Sequence, residues 1–206
     1  ELTALAIAGV LDGPDAVALA ADRGDAFDVA RGDGWDGVGM LALSGPTLRE
    51  QLDGLLASVD GIELTNDNAS DQIVVAGPAD ALTALTSAAR DAGLRAVRLE
   101  TTGPSHSSFM APAVPAFRSA LERVDFHQPS DMVWSGATAS PMSQPVGQLS
   151  VTLSSPLRWR ETLLGLGDLG PSHLLDIGPG AAMSRLARKT LPDIPTITLD
   201  DLESAA

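Results

Sequence analysis

The sequence contains no cysteine, and only 13 of its 206 residues are lysine or arginine. Without thiols the chain forms no disulfide and offers no thiolate ligand to a metal. Its 27 aspartates and glutamates give a formal net charge of −14, which argues against binding nucleic acid or an anionic membrane surface. No apolar run is long enough to span a bilayer, and no basic segment followed by an apolar one marks a secretory leader. These absences predict a cytoplasmic protein.

Several catalytic signatures are missing as well. No Gly-x-Ser-x-Gly elbow occurs, and the turn Gly178-Pro-Gly180 lacks the lysine and the longer glycine pattern of a phosphate loop. His106, His127 and His173 lie far apart in the chain, without paired carboxylates at helical spacing. We therefore expect no permanently bound metal or cofactor.

Residues 38–101 carry the most regular pattern of apolar residues and turns. The pattern predicts a strand, a helix, two strands, a helix and a strand, with a polar turn at 66–71. This βαββαβ order is typical of a ferredoxin-like unit, and about sixty residues suffice for a compact insertion. The predicted bounds of the six elements are 39–43, 46–58, 61–65, 72–76, 78–92 and 94–99.

The rest of the chain, 1–37 and 102–206, is predicted as one larger α/β part in which helices and strands alternate. A glycine-rich break at 32–37 separates it from the inserted unit, and 142–150 is predicted as a polar connector. Its predicted helices are 1–11, 13–31, 113–124, 156–166 and 181–190, and its predicted strands are 130–135, 172–177 and 195–199.

His106 is the candidate for proton transfer, because it lies among small residues on a loop between a predicted strand and a predicted helix. Its serine neighbours are poor nucleophiles, since adjacent side chains on an extended segment point apart. His127 and His173 are interpreted as ordinary surface or packing residues. Arg23 lies in the middle of a predicted helix, where a solvated surface charge is the simplest interpretation.

Stretches along essentially the whole chain resemble the family of malonyl-CoA:acyl carrier protein transacylases and polyketide synthase acyltransferase domains. The first five residues resemble the segment after that family's Gly-His-Ser-x-Gly-Glu nucleophile elbow, and later stretches resemble its other motifs in order. The matching stretches are Glu1-Leu-Thr-Ala-Leu5, Asp22-Arg-Gly24, Asn66-Asp-Asn-Ala69, Gln72-Ile-Val-Val-Ala-Gly77, Pro104-Ser-His-Ser-Ser-Phe-Met-Ala-Pro112, Ser155-Pro-Leu-Arg-Trp159 and Leu175-Asp-Ile-Gly-Pro-Gly180.

The resemblance implies an α/β-hydrolase-like large subdomain with an inserted ferredoxin-like small subdomain. It also implies ping-pong transfer, in which a serine takes a malonyl-type acyl group from coenzyme A and yields it to the phosphopantetheine thiol of an acyl carrier protein. His106 matches the family's catalytic base, and Arg23 matches the arginine that pairs with the free carboxylate of the acyl group. The nucleophilic serine is expected upstream of residue 1, in a companion segment or chain that these 206 residues do not contain.

The sequence departs from the family pattern at two places. Thr152 stands where many members carry glutamine, and a main-chain carbonyl near this position orients the family's histidine. We expect that role to persist through Leu153 or Ser154. The tetrad from Gly103 to His106 matches neither common substrate-diagnostic pattern. Ser105 is the residue in it that is predicted to bind substrate, and the extender unit stays open.

Two other functions remain possible on this scaffold. One is an acyl hydrolase with a proofreading role, in which water replaces the thiol, and the other is a non-catalytic docking fragment. Carrier proteins are acidic, so docking to this acidic chain needs a local basic patch. The candidates are Arg158, Arg160, Arg185, Arg188 and Lys189, although ordinary helix-face charges explain them equally well.

Overall fold

The computed structural model describes residues 1–32, 35–101 and 103–204. Two residues of the predicted break at 32–37 therefore lie outside the described residues. The same holds for residue 102, at which the second segment of the larger α/β part is predicted to begin. Helices α1 (Leu2–Ile7) and α2 (Gly13–Gly32) open the chain. Within the described ranges, no helix combines the length and the apolar character needed to cross a bilayer.

Residues 38–99 form a four-stranded antiparallel sheet with two helices. The elements are β1 (Val38–Ser44), α3 (Leu48–Ala57), β2 (Glu63–Ala69), β3 (Gln72–Pro78), α4 (Ala79–Asp91) and β4 (Arg95–Leu99). The observed element order agrees with the predicted βαββαβ order. The sheet order is β2-β3-β1-β4, and its paired neighbours are all antiparallel.

Strand β2 is longer than its sequence suggests, so the polar turn predicted at 66–71 is wrong for most of its length. Thr65, Asp67 and Ala69 are buried, whereas the residues between them are half-buried. Asp67 is buried because its carboxylate forms ion pairs with Arg49 and Arg160. A strand whose buried positions hold polar residues lacks the apolar alternation by which strands are recognised.

The remaining elements follow β4 in chain order. They are a 3₁₀ helix (Ser108–Ala113), α5 (Val114–Leu121), β5 (Trp134–Ser135), β6 (Ser140–Pro141), α6 (Pro145–Thr152), α7 (Trp159–Asp168), β7 (Leu174–Asp176), α8 (Ala182–Thr190), β8 (Thr196–Thr198) and α9 (Leu199–Glu203). Strands β5 and β6 form an antiparallel pair, and β7 and β8 form a short parallel pair.

Helix α6 replaces the connector predicted at 142–150, which is therefore wrong. The segment is polar, but Pro145 suits the first turn of a helix, and Leu149 is buried in the core shared by α1, α2 and α5. Tertiary packing thus decides the conformation of this segment. Several other predicted elements are shorter in the structure. Among them, the first helix ends at Ile7, the strand at 130–135 keeps only two residues, the helix at 113–124 ends at Leu121, and the strand at 172–177 keeps three residues.

Candidate active site

A cavity of about 350 Å³ lies where helices α1, α2 and α6 meet the loop that carries His106. It brings together two of the residues singled out from the sequence, His106 and Arg23. No serine lines the cavity within the described part of the chain. The lining residues are Glu1, Leu2, Thr3, Arg23, His106, Phe117, Leu149, Thr152, Leu153 and Leu157.

The backbone of His106 has a left-handed conformation, with φ at 63°. This conformation is uncommon for a residue other than glycine and persists only where the surroundings hold it. Two hydrogen bonds to the end of α6 do so here. The backbone N–H of His106 donates to the Leu153 carbonyl at 2.9 Å, and its ring Nδ1 lies 2.7 Å from the Thr152 carbonyl.

The acceptor that orients the His106 ring is thus the Thr152 carbonyl, which corrects the prediction of Leu153 or Ser154. The Leu153 carbonyl is engaged by the His106 backbone, and both the N–H and the hydroxyl of Ser154 point back to Val151. Because a carbonyl only accepts, Nδ1 carries the proton and donates it. The Nε2 lone pair is therefore the ring's free basic site.

The pKa of His106 is lowered from its ordinary value. Burial is the largest cause, because desolvation disfavours the charged imidazolium. The Thr152 carbonyl opposes this shift, the positive charge of Arg23 adds to it, and the negative charge of Glu1 opposes it. The neutral form, which can accept a proton, therefore prevails at neutral pH.

Arg23 projects from α2 and is half-buried rather than a fully solvated surface charge. Its guanidinium carbon lies 5.0 Å from the centre of the Phe27 ring, a cation–π contact. Among the described residues it has no ion-pair or hydrogen-bond partner, and burial lowers its pKa while Glu1 raises it. Arginine nevertheless stays charged, so its guanidinium is available to a ligand anion.

Ser105 does not line the cavity, although it directly precedes His106. It is half-buried, and its N–H donates to the Gly103 carbonyl at 3.0 Å. A role in substrate selection stays a prediction. Gly103, the first residue of the unusual tetrad, packs under Trp35, because a Cβ placed there would lie 2.6 Å from the Trp35 ring. The buried Trp35 side chain thus occupies the space that a larger residue 103 would need.

Most of the five basic candidates for docking are paired with carboxylates. Arg158 pairs with Glu161, and Arg160 pairs with Asp67 at 3.2 Å. Arg188 lies 3.8 Å from Asp201, and Lys189 lies 2.8 Å from Asp71. Arg185 has no such ion pair among the described residues. The paired charges favour the interpretation as ordinary helix-face residues over a free basic patch.

The other two histidines lie away from this cavity. His127 lines a separate cleft of about 280 Å³, and its backbone N–H donates to the Val10 carbonyl. The Nδ1 atom of His173 lies 2.9 Å from the exposed Ser172 hydroxyl. In the described ranges, no three histidine, aspartate or glutamate residues are arranged to hold a metal ion.

Two residues at this site are absent from the sequence-based prediction. Glu1 approaches it, and its Oε1 accepts a hydrogen bond from the Gly136 N–H at 2.7 Å. Glu63 contacts the loop just beyond His106 by accepting from the Ser108 N–H at 2.7 Å. The contacts of both residues carry no local sequence signal, because each partner lies 45 or more positions away in the chain.

No family model matches the chain, but individual relatives do. The malonyl CoA-acyl carrier protein transacylase of Synechocystis sp. is 30% identical over 210 residues, which cover 99% of this chain and 69% of the relative. The Bacillus subtilis protein of the same name is also 30% identical, over 99% of this chain and 66% of its own length. The polyketide biosynthesis protein ThaF of Burkholderia thailandensis is 32% identical over 93% of this chain and 17% of its own length.

Solved structures agree with these relatives. The malonyl CoA-acyl carrier protein transacylase of Clostridium perfringens has a TM-score of 0.90 at 24% identity, covering 100% of this chain and 67% of its own. The acyl-carrier-protein-S-malonyltransferase of Bartonella henselae has a TM-score of 0.88 at 30% identity, over 99% and 67%. A malonyl-transacylase in complex with its type II polyketide synthase acyl-carrier protein has a TM-score of 0.86 at 26% identity, over 98% and 67%.

The chain thus spans about two thirds of the length of the transacylases that it matches. The match extends over 99% of the chain itself and includes the stretches that carry Arg23 and His106. Identity, coverage and the mixed α/β fold agree. The chain belongs to the malonyl CoA-acyl carrier protein transacylase family of acyltransferases.

Proposed function

We propose that the protein transfers a malonyl-type acyl group from coenzyme A, through an acyl-serine, to the phosphopantetheine thiol of an acyl carrier protein. The observation that carries this proposal is the shared cavity of His106 and Arg23. It holds a neutral histidine with its Nε2 free and a half-buried guanidinium without a carboxylate partner among the described residues. A base and an anion-binding cation in one cavity suit a thioester that ends in a carboxylate.

His106 acts as the general base in the first half-reaction. Its Nε2 takes the proton of the serine hydroxyl while the serine Oγ attacks the thioester carbonyl carbon. The C–S bond breaks, and the leaving coenzyme A sulfur takes the proton from Nε2. In the second half-reaction Nε2 takes the proton of the phosphopantetheine thiol, whose sulfur attacks the acyl-serine carbonyl. The C–O bond then breaks, and the serine Oγ recovers the proton.

Arg23 selects acyl groups that carry a free carboxylate. A bidentate pair between a guanidinium and a carboxylate is directional and becomes strong where water is excluded. The Phe27 ring holds the guanidinium on one side. An acetyl group offers no charge to Arg23, so the arginine contributes to the rate with malonyl donors and much less with acetyl donors.

The nucleophilic serine comes, in this proposal, from a companion segment outside the 206 residues. Its support is the parallel pair β7–β8, because parallel strands are stable when further elements cover both faces. Leu175, Ile177 and Met183 are 44–46% exposed beside an apolar cavity of about 410 Å³. A companion segment that packs on these side chains would bury them.

The companion segment also completes the architecture that we propose, an α/β-hydrolase-like large subdomain with the βαββαβ unit as a ferredoxin-like insertion. The partner in the second half-reaction is an acyl carrier protein, as it is for the structurally similar malonyl-transacylase bound to one. The relatives are named for transfer and do not favour the hydrolase or the docking fragment. A cytoplasmic location stays a prediction.

The test is to incubate the complete polypeptide that contains these residues with labelled malonyl-CoA and methylmalonyl-CoA, with and without a phosphopantetheinylated carrier protein. Label is followed on the enzyme, on the carrier protein and in the free acid. We expect label on the enzyme alone when the carrier is absent, and on the carrier when it is present. Free acid without labelled carrier would instead establish a hydrolase, and no label anywhere would leave only the docking role.

The native mass tests the companion segment separately. An active native protein with a mass of 21.1 kDa and no companion chain would refute an outside serine. We expect a longer polypeptide, or a second chain, in every active preparation.

A further inference from the structure

The loop of His106 is held from two sides. On one side the Thr152 and Leu153 carbonyls bind the ring and the backbone of His106. On the other side the chain enters the 3₁₀ helix (Ser108–Ala113) two residues later. A left-handed backbone at a residue other than glycine persists where the surroundings hold it, so the segments on both sides bear on the conformation of His106.

The start of the 3₁₀ helix is tied to the βαββαβ unit by Glu63, the first residue of β2. The Glu63 carboxylate accepts hydrogen bonds from both the N–H and the hydroxyl of Ser108, the first of them at 2.7 Å. Ser107, at the N-cap position, makes no side-chain cap, and its hydroxyl donates to the Pro104 carbonyl instead. Glu63 therefore caps the first turn of the 3₁₀ helix in place of the Ser107 side chain.

The same strand also holds another residue that lines the cavity. The N–H of Leu157 donates to the Thr65 carbonyl at 2.8 Å, and the N–H of Asp67 donates to the Leu157 carbonyl at 2.9 Å. Leu157 lines the cavity, only five residues after Thr152. One edge strand thus fixes both the loop after His106 and the segment that follows its carbonyl partners.

The geometry points to Glu63 as a positioning residue for His106. Glu63 does not line the cavity, and both hydrogen bonds shown for its carboxylate come from Ser108. It acts through Ser108 on the backbone that sets the direction of Nε2. This inference rests on the proposed transferase function, in which a shift of about 1 Å between base and nucleophile costs roughly a hundredfold in rate.

The experiment compares Glu63→Ala, Glu63→Gln, Ser108→Ala and the double variant Glu63→Ala/Ser108→Ala in the complete polypeptide. Transfer from malonyl-CoA to a carrier protein is measured across pH. We expect Glu63→Ala to lower kcat about 10- to 100-fold with little change in the KM for malonyl-CoA, because Arg23 is untouched. Glu63→Gln keeps an oxygen that can accept one of the two hydrogen bonds, so it should recover part of the lost kcat.

Two readouts separate positioning from a merely structural role. A loosened loop admits water to His106, so the acid limb of kcat/KM should move to higher pH in Glu63→Ala. The free-energy losses of the two single variants should also sum to more than the loss in the double variant, because both single changes remove the hydrogen bond between the Ser108 hydroxyl and the Glu63 carboxylate. The matched control is Glu122→Gln, which removes an exposed carboxylate that pairs with Arg118. We expect wild-type kinetics from it.

The outcomes are distinct. Unchanged kcat in Glu63→Ala, or a loss explained wholly by a lower melting temperature with an unmoved pH profile, would overturn the positioning role. A wild-type protein that transfers no acyl group would instead overturn the proposed function. A kcat loss with the pH shift and partial recovery in Glu63→Gln would support the inference.

Discussion

Replacing Arg23 by glutamine tests the carboxylate selection most directly. Breaking a desolvated, hydrogen-bonded charge pair costs about 2–5 kcal/mol. Arg23 is only half-buried and its cavity is open to solvent, so the lower part of this range applies. A loss of about 2–3 kcal/mol in transition-state binding corresponds to a decrease of roughly 30- to 150-fold in kcat/KM for malonyl-CoA.

The assay measures kcat/KM for malonyl-CoA and acetyl-CoA in parallel, so that the ratio of the two is independent of the concentration of active enzyme. We expect the malonyl value to fall and the acetyl value to change by only about threefold or less. Arg23→Lys keeps the charge but loses the planar fork, so its malonyl value should lie between those of wild type and Arg23→Gln. Arg118→Gln, on an exposed surface pair, is the matched control.

The pH profile gives a second, independent reading of the same variant. Arg23 lowers the pKa of His106 through its positive charge. Its removal should therefore raise that pKa, and the acid limb of kcat/KM should move to higher pH. Equal losses with malonyl and acetyl donors would refute carboxylate selection, and an unmoved acid limb would refute the electrostatic contact with His106.

Three further predictions follow from the geometry. His106→Gln should lower kcat by about 10²- to 10⁴-fold, because it removes the general base. The acid limb of kcat/KM in the wild type should lie below the ordinary histidine pKa, because burial lowers the pKa of His106. Measuring kcat and kcat/KM across pH checks both. Gly103→Ala should destabilise the fold by about 1–3 kcal/mol in urea unfolding, since its Cβ would meet the Trp35 ring at 2.6 Å; a wild-type unfolding midpoint would contradict the packing described. Asp67→Asn should lower the free energy of unfolding by about 1–3 kcal/mol, because it leaves two half-buried arginines without their carboxylate. Glu122→Gln, on an exposed pair, should change the unfolding midpoint little.

The βαββαβ unit of residues 38–99 was predictable because its core positions are apolar and regularly spaced. Leu41, Leu43, Ile73 and Val75 are each fully buried, as alternation along β1 and β3 requires. Strand β2 was not predictable beyond Thr65, because its buried positions serve ion pairs and main-chain contacts with another part of the chain. Such partners are invisible in a local pattern.

The residues of the candidate site also differ in how far the sequence alone could indicate them. His106 stands out by its residue type and its loop, whereas Arg23 depended on the family resemblance, because a lone helical arginine carries no signal. Glu63 gave no signal at all, since its contact with Ser108 joins two segments 45 residues apart. The sequence therefore singled out the two side chains that share the cavity more readily than the groups that hold them in place.

Among the described residues, the Thr152 carbonyl accepts the hydrogen bond of the His106 ring nitrogen, and a carbonyl belongs to every residue type. A scan of side-chain substitutions at position 152 would consequently leave the tautomer of His106 intact wherever α6 still ends in the same place. A point mutation at position 152 therefore does not remove the acceptor that keeps the proton of His106 on Nδ1. The hydrogen bond is lost instead through changes that displace the end of α6, such as the loss of the buried Leu149 or Leu153 side chains.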